Sequence, residues 1–158
     1  MQGKKTLKAF MREEAKIVEI VKAPAPPGFV DEEGKPVELE IRVLHSARIQ
    51  EINENYKKRV VAVDKRGNPI VVGNEVAFKT ERDSLRASSH ILVEALAYPD
   101  LKDKELMDFF GVVDVTDMPN KVFPKPDEIA HVTRVVMAAL GLSNEPDNDE
   151  TKIDDIKN

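Results

Sequence analysis

Several short stretches of this sequence carry residue types capable of chemistry, and each fails on spacing or setting. Asp108-Phe109-Phe110-Gly111 contains the Asp-Phe and Gly with which protein kinases hold a metal, but a second Phe interrupts it. The chain has no glycine-rich loop and no His-Arg-Asp loop to accompany it. The three histidines, His45, His90 and His131, are not spaced as a ligand pair on one helix turn. Ser88, Ser89 and His90 are adjacent, whereas a nucleophilic triad is assembled in space around an oxyanion site. Asp147, Asp149 and Thr151 match the first three ligand positions of a calcium loop, yet Lys152 stands where such a loop needs Gly and Asn158 where it needs a bidentate Glu. With no cysteine, thiolate zinc sites, disulfides and a thiol nucleophile are excluded together. The seven glycines form neither a phosphate-binding loop nor a dinucleotide fingerprint. Lys57-Lys58-Arg59 is the one compact basic run, and it is expected at a helix end, where cations complement the dipole. The residues therefore predict no catalytic group, no metal and no cofactor.

The composition agrees. A chain of 158 residues suits one domain with a core large enough to fold unaided. Aromatics are 5% and Trp is absent, so that core must be mostly aliphatic. The net charge of -5 is unevenly placed: residues 144–158 hold six acids and two lysines, and the rest of the chain is nearly neutral. Residues 1–143 are expected to form a single domain and 144–158 a disordered acidic tail. A nearly neutral body lacks the basic face that nucleic acid requires. No apolar run approaches the ~20 residues that span a bilayer, and the N-terminus lacks the apolar stretch of a secretion signal.

The elements follow from periodicity. Thr6 to Met11 predicts a short helix capped by Thr6, with Leu7, Phe10 and Met11 on one face. Residues 16–22 and 37–44 predict two strands; the prolines of 23–27 are expected to end the first. In the second, Val37, Leu39, Ile41 and Val43 alternate with Glu38, Glu40 and Arg42, the pattern of an antiparallel sheet covered on one side. Ser46 is expected to cap a helix through Tyr56. Residues 59–74 predict a hairpin turning at Gly67-Asn68. A helix from Thr80 to about Ala97 should place Leu85, Leu92, Ala95 and Leu96 on one stripe, before Pro99. A shorter helix, capped by Asp100 or Asp103 and closed at Gly111, precedes a last one from Pro126 to Gly141 with Ile129, Val132, Val136 and Leu140 inward. Strands early and helices late give an α+β fold.

What remains is surface. Leu101, Leu106, Phe109 and Phe110 make the short helix more apolar than a peripheral element needs, so these are the candidate partner-binding residues. Neighbours on a helix lie about 100° apart, so one Phe is expected in the core and one at the surface. Phe109, three positions after Leu106, is expected to be the core member.

Three stretches then resemble a known family. "TLKAFM" at 6–11, "GFVDEEGKPVELEIRVL" at 28–44 and "YPDLKDKELMDFFGV" at 98–112 are similar to XkdN-like tail assembly chaperones of phages and PBSX-type prophages. The Tyr98-Pro99-Asp100-Leu101 block, with Asp103, Glu105-Leu106 and Phe110-Gly111-Val112, is the most specific part. The segment between Asp114 and Ala130 departs from the family pattern, lacking its leucine-rich helix and Gly-Glu-Tyr. The resemblance implies a non-enzymatic protein in the cytoplasm of the bacterial host, absent from the finished virion. It implies binding of the tape measure protein, recruitment of the tail tube protein, and self-association as a further contact. The rival class is a virion structural or adaptor protein retained in the tail.

The polar composition of 144–158 generates one prediction. Deleting these residues should leave the melting temperature of the domain unchanged within a degree or two, because a segment without a core adds little to stability. A fall of many degrees on calorimetry would show that the tail docks.

Overall fold

The computed structural model describes residues 5–13 and 19–142. The calcium-loop positions, the acidic tail and the first part of the strand expected at 16–22 lie outside them.

The fold is α+β, with antiparallel strands in the N-terminal half and helices in the C-terminal half. Strands β1 (Ile20–Pro24) and β2 (Glu38–Arg42) pair antiparallel from Ile20 opposite Arg42 to Pro24 opposite Glu38. The prolines do not stop β1 where expected. It continues through Ala23 and Pro24 because β1 is an edge strand, where a missing N–H is tolerated. The connection closes on Asp31, whose carboxylate accepts from the Glu33 and Lys35 N–H groups at 2.9 Å each. In β2 the alternation is realised: Leu39 and Ile41 are buried, while Glu38 and Arg42 face out.

Helix α1 (Ser46–Asn55) has His45 rather than Ser46 at its N-cap, with no side-chain cap. Its Ile52 is fully buried. The chain then runs into a β-arm. Strand β3 (Lys57–Val61) pairs with a strand near the end of the arm, Phe78–Arg82, in register from Lys57 opposite Arg82 to Val61 opposite Phe78. Two short strands, β4 (Val71–Val72) and β5 (Glu75–Val76), make a separate hairpin between them, so Phe78–Arg82 is β6. The expected turn is present at Asp64–Asn68, with Gly67 at φ 85°. The expected pairing is present only next to the turn, where Val63 bridges Pro69 and the Ile70 N–H reaches the Ala62 carbonyl; beyond it Val71–Val72 fold onto Glu75–Val76, and β3 takes β6 as its partner. Ala62, Ile70 and Ala77 exchange backbone hydrogen bonds of 2.8–2.9 Å where the three segments meet. Lys57, Lys58 and Arg59 open β3 directly after Tyr56, the C-cap of α1, as expected of a basic run at a helix end, and Lys57 pairs with Glu54 of its last turn at 2.7 Å.

Helix α2 (Ser84–Ala95) starts later than expected. Thr80 belongs to β6, and Asp83 is the N-cap, accepting from the Arg86 N–H at 3.1 Å. The helix also ends earlier. Leu96–Tyr98 is strand β7, which joins the far edge of β2 to give the order β1-β2-β7. The inward face of α2 is Ala87, Ile91, Leu92, Val93 and Ala95, whereas Leu85 is 84% exposed. Leu85 sits in the first turn, beyond the reach of the sheet and α5, so helical spacing alone misplaced it.

Three helices complete the fold: α3 (Lys104–Phe110), α4 (Met118–Val122), which the sequence did not suggest, and α5 (Pro126–Ala139). Val132 and Val136 of α5 are fully buried, and Ile129 and Leu140 pack at the margin, as expected. The core joins Leu39 and Ile41 of the sheet to Leu92, Val93 and Leu96, then to Met118, Phe123, Val132 and Val136. Phe123 is its largest member, 5.3 Å from the half-buried Phe29 ring.

Phe123→Ala should therefore cost about 3–5 kcal/mol in chemical denaturation, by lost burial and a residual cavity. Leu85→Ala should stay within about 0.5 kcal/mol. A large loss at Leu85 would mean that the α2 register is wrong.

Candidate interaction surfaces

Helix α3 is defined at both ends by its sequence. The Asp103 carboxylate accepts from the Leu106 N–H at 3.2 Å, and Gly111 takes the left-handed conformation (φ 65°, ψ 32°) that lets Val112 N–H reach the Met107 carbonyl at 3.0 Å. Between these caps the four candidate residues divide. Leu101 is fully buried ahead of the helix and belongs to the core. Leu106 and Phe110 are half-buried against that core.

Phe109 is 80% exposed, which reverses the expectation that it would be the core member. The reason is Met107. With about 100° per residue, an inward arc containing Leu106 and Met107 is centred near Phe110, and Phe109 falls over 100° away from that centre. The sequence reading counted from Leu106 alone. The two rings meet edge to face, with centroids 4.9 Å apart and an interplanar angle of 89°. Phe109 is thus an exposed aromatic held in one orientation by a packed one, a favourable geometry for such pairs.

Beside α3 lies an apolar groove of about 190 Å3. Phe29, Val30 and Val37 of the β1–β2 connection form one wall, Tyr98-Pro99 and Leu106 the other, and Phe123 the floor. The arm presents a second apolar surface. Val61, Val63, Ile70, Val71, Val72, Val76 and Phe78 are all exposed on it. Residues 57–82 also carry seven basic and three acidic side chains, and the Arg59 guanidinium stands 4.1 Å from the centre of the Phe78 ring. The arm was not singled out as a surface from sequence. The available signal was its two β-branched runs with no helical segment of their own to cover them.

Several titratable side chains form joints between elements. His90 Nδ1 lies 2.8 Å from the Tyr56 hydroxyl, not on Ser88 or Ser89. Glu94 receives Arg48 through two hydrogen bonds of 2.9 Å, which hold the guanidinium pKa above its ordinary value. Burial in the same joint pushes the Tyr56 hydroxyl up. This cluster fastens α1 to α2. His131 Nε2 is 2.8 Å from the Pro24 carbonyl and ties α5 to β1. His45 is the exposed N-cap of α1. Among the described residues no group of three or more His, Cys, Asp or Glu is arranged to hold a metal, and no helix is long and apolar enough to cross a membrane.

Asp114 closes a second joint. It accepts from the Thr116 hydroxyl at 2.7 Å and the Thr116 N–H at 2.9 Å, and pairs with Arg86 of α2 at 2.7 Å. The Thr116 hydrogen bonds, more than the half-exposed Arg86, hold its carboxyl below the usual range.

With that geometry described, the chain can be set beside known proteins. A family model described as phage XkdN-like tail assembly chaperone protein matches residues 7–157. The crystal structure of the protein YqbN has the same fold: TM-score 0.63 at 22% identity, over 89% of this chain and all of that one. No curated protein sequence matches the chain.

The Asp114 joint makes a pH prediction. A depressed carboxyl stabilises the fold above its unfolded value of about 3.9, and that contribution is lost as pH falls through the folded value. Asp114→Asn keeps a capping oxygen but loses the charge on the Thr116 and Arg86 hydrogen bonds, so it should cost no more than about 1 kcal/mol at neutral pH for this half-exposed group. In melts, the gap from the parent should begin to narrow below about pH 4 and close as pH falls through the folded value. A gap that persists at pH 2–3 would show that the ionised carboxylate is not the cause.

Proposed function

Because the chain belongs to the XkdN-like family of phage tail assembly chaperones, we propose that it binds the tape measure protein during tail morphogenesis and helps recruit tail tube subunits to it. It does so in the cytoplasm of the host cell and leaves before the virion is complete. The family is of chaperone type and not an enzyme family.

The observation that carries this reading is the Phe109–Phe110 pair. Interface energy concentrates in a few aromatic anchors. An anchor already fixed by a neighbouring ring loses little conformational freedom on binding. Phe109 is such an anchor, on a helix whose two ends are capped. A long, helix-rich partner offers apolar stripes that a protruding ring can enter. The buried Leu101 acts by placing α3, and Leu106 supports its inner face.

Co-expression with the tape measure protein should keep that partner soluble, and Phe109→Ala should undo this. The substitution should cost under about 1 kcal/mol in thermal melts and weaken pull-down of the tape measure protein by about 2 kcal/mol or more. Phe110→Ala should instead destabilise the fold. Unchanged solubility of the tape measure protein with and without this chain would remove the main support. Recovery of the chain from purified particles by mass spectrometry would favour a virion structural role.

A further inference from the structure

The N-terminal segment and the α3 groove have the properties of a plug and a socket. Lys8–Phe10 forms one 3-10 turn, begun by Leu7 and closed by the Met11 N–H on the Lys8 carbonyl at 3.1 Å. Leu7 and Phe10, three positions apart, align on one face of this turn with Met11 at its end, and all three are exposed, Phe10 at 82%. That face joins no core within its own molecule. Three large apolar side chains on a single turn are far more than a solvated terminus requires.

The groove between the β1–β2 connection and α3 is the complementary shape. An apolar cavity of about 150 Å3 accepts a benzene molecule, so a groove of about 190 Å3 has room for the ring of Phe10. Its mouth is open, with Val30 at 52% and Tyr98 at 49% exposure.

The charges match as well. Residues 1–12 carry Lys4, Lys5, Lys8 and Arg12 and no acid. The two elements that wall the groove, residues 31–36 and 100–108, hold seven acids and three lysines. Asp31 and Asp103 are engaged in local turns. Glu32, Glu105 and Asp108 make no ion pair among the described residues.

We propose that the segment from Lys5 to Met11 of one copy docks into the α3 groove of a second copy, with Phe10 in the pocket and Lys5 and Lys8 against the acidic rim. The contact joins two different patches, so each copy both gives and receives, and association extends head to tail. The inference rests on this plug and socket and not on the tape-measure reading, and its test contains no tape measure protein.

The full chain is measured by sedimentation velocity over a range of concentrations, beside Leu7→Asp/Phe10→Asp and Val30→Asp. All three substituted side chains are exposed, so thermal melts should match the parent. The parent should associate in a concentration-dependent manner, and more weakly as salt rises. Each variant alone should weaken association at least tenfold. Mixed together, the variants should form a one-to-one complex and nothing larger, since one keeps the socket and the other the plug. A parent that stays monomeric at high concentration, variants that associate like the parent, or a mixture that fails to pair would each overturn the proposal.

Discussion

The segment from Ile91 to Tyr98 is what the remainder of the structure depends on. It is a helix until Ala95 and a strand from Leu96, with no loop between. Leu92, Val93, Ala95 and Leu96 are all buried, so one short run supplies both the helical layer and the edge of the sheet with core contacts. The pairing of Leu96 with Ile41 and Tyr98 with Glu40 spans a register irregularity in β2. A bulge of this kind bends a strand and re-aims its side chains. Everything after Tyr98 hangs from that edge, including Leu101, α3 and the groove.

This constraint also explains why α3 is apolar on more than one side. The helix is seven residues long and is anchored through Leu106, Met107 and Phe110. That arc is narrow, and the ring of Phe109 lies outside it. The groove lies between the β1–β2 connection, whose Phe29 ring meets Phe123, and α3, and it is lined by apolar residues of both.

The described molecule separates its apolar residues into a compact aliphatic core and several outlying surfaces. Polar joints hold the parts together around that core. Arg48 with Glu94 and Tyr56 with His90 fasten α1 to α2; Arg86, Asp114 and Thr116 fasten α2 to the turn before α4. These residues resemble catalytic material in a sequence, yet here they act as fasteners. Buried polar groups tend to be satisfied by one another, and among the described residues no buried side-chain polar atom lacks a partner. The arm, in contrast, is joined to the body near its base, by the Asp83 N–H on the Tyr56 carbonyl at 2.9 Å and by Arg82 on Asn53 at 3.1 Å.

The sequence by itself determined much of the local structure, though not the α1 cap, the ends of α2 or the existence of α4. Alternation over 37–43 gave β2 its buried face, Asp103 and Gly111 bounded α3, and Pro126 and Gly141 bounded α5, because each signal acts within one or two turns of chain. The α+β class was legible for the same reason. Tertiary structure alone decided the partners. Whether β3 would take 70–74 or 78–82 as its mate, whether residues 96–98 would continue a helix or join a sheet, and which Phe would face inward all depend on surfaces supplied from elsewhere in the chain. Pairing and burial are set by what lies opposite, and a sequence read along its length carries only the near side of each contact.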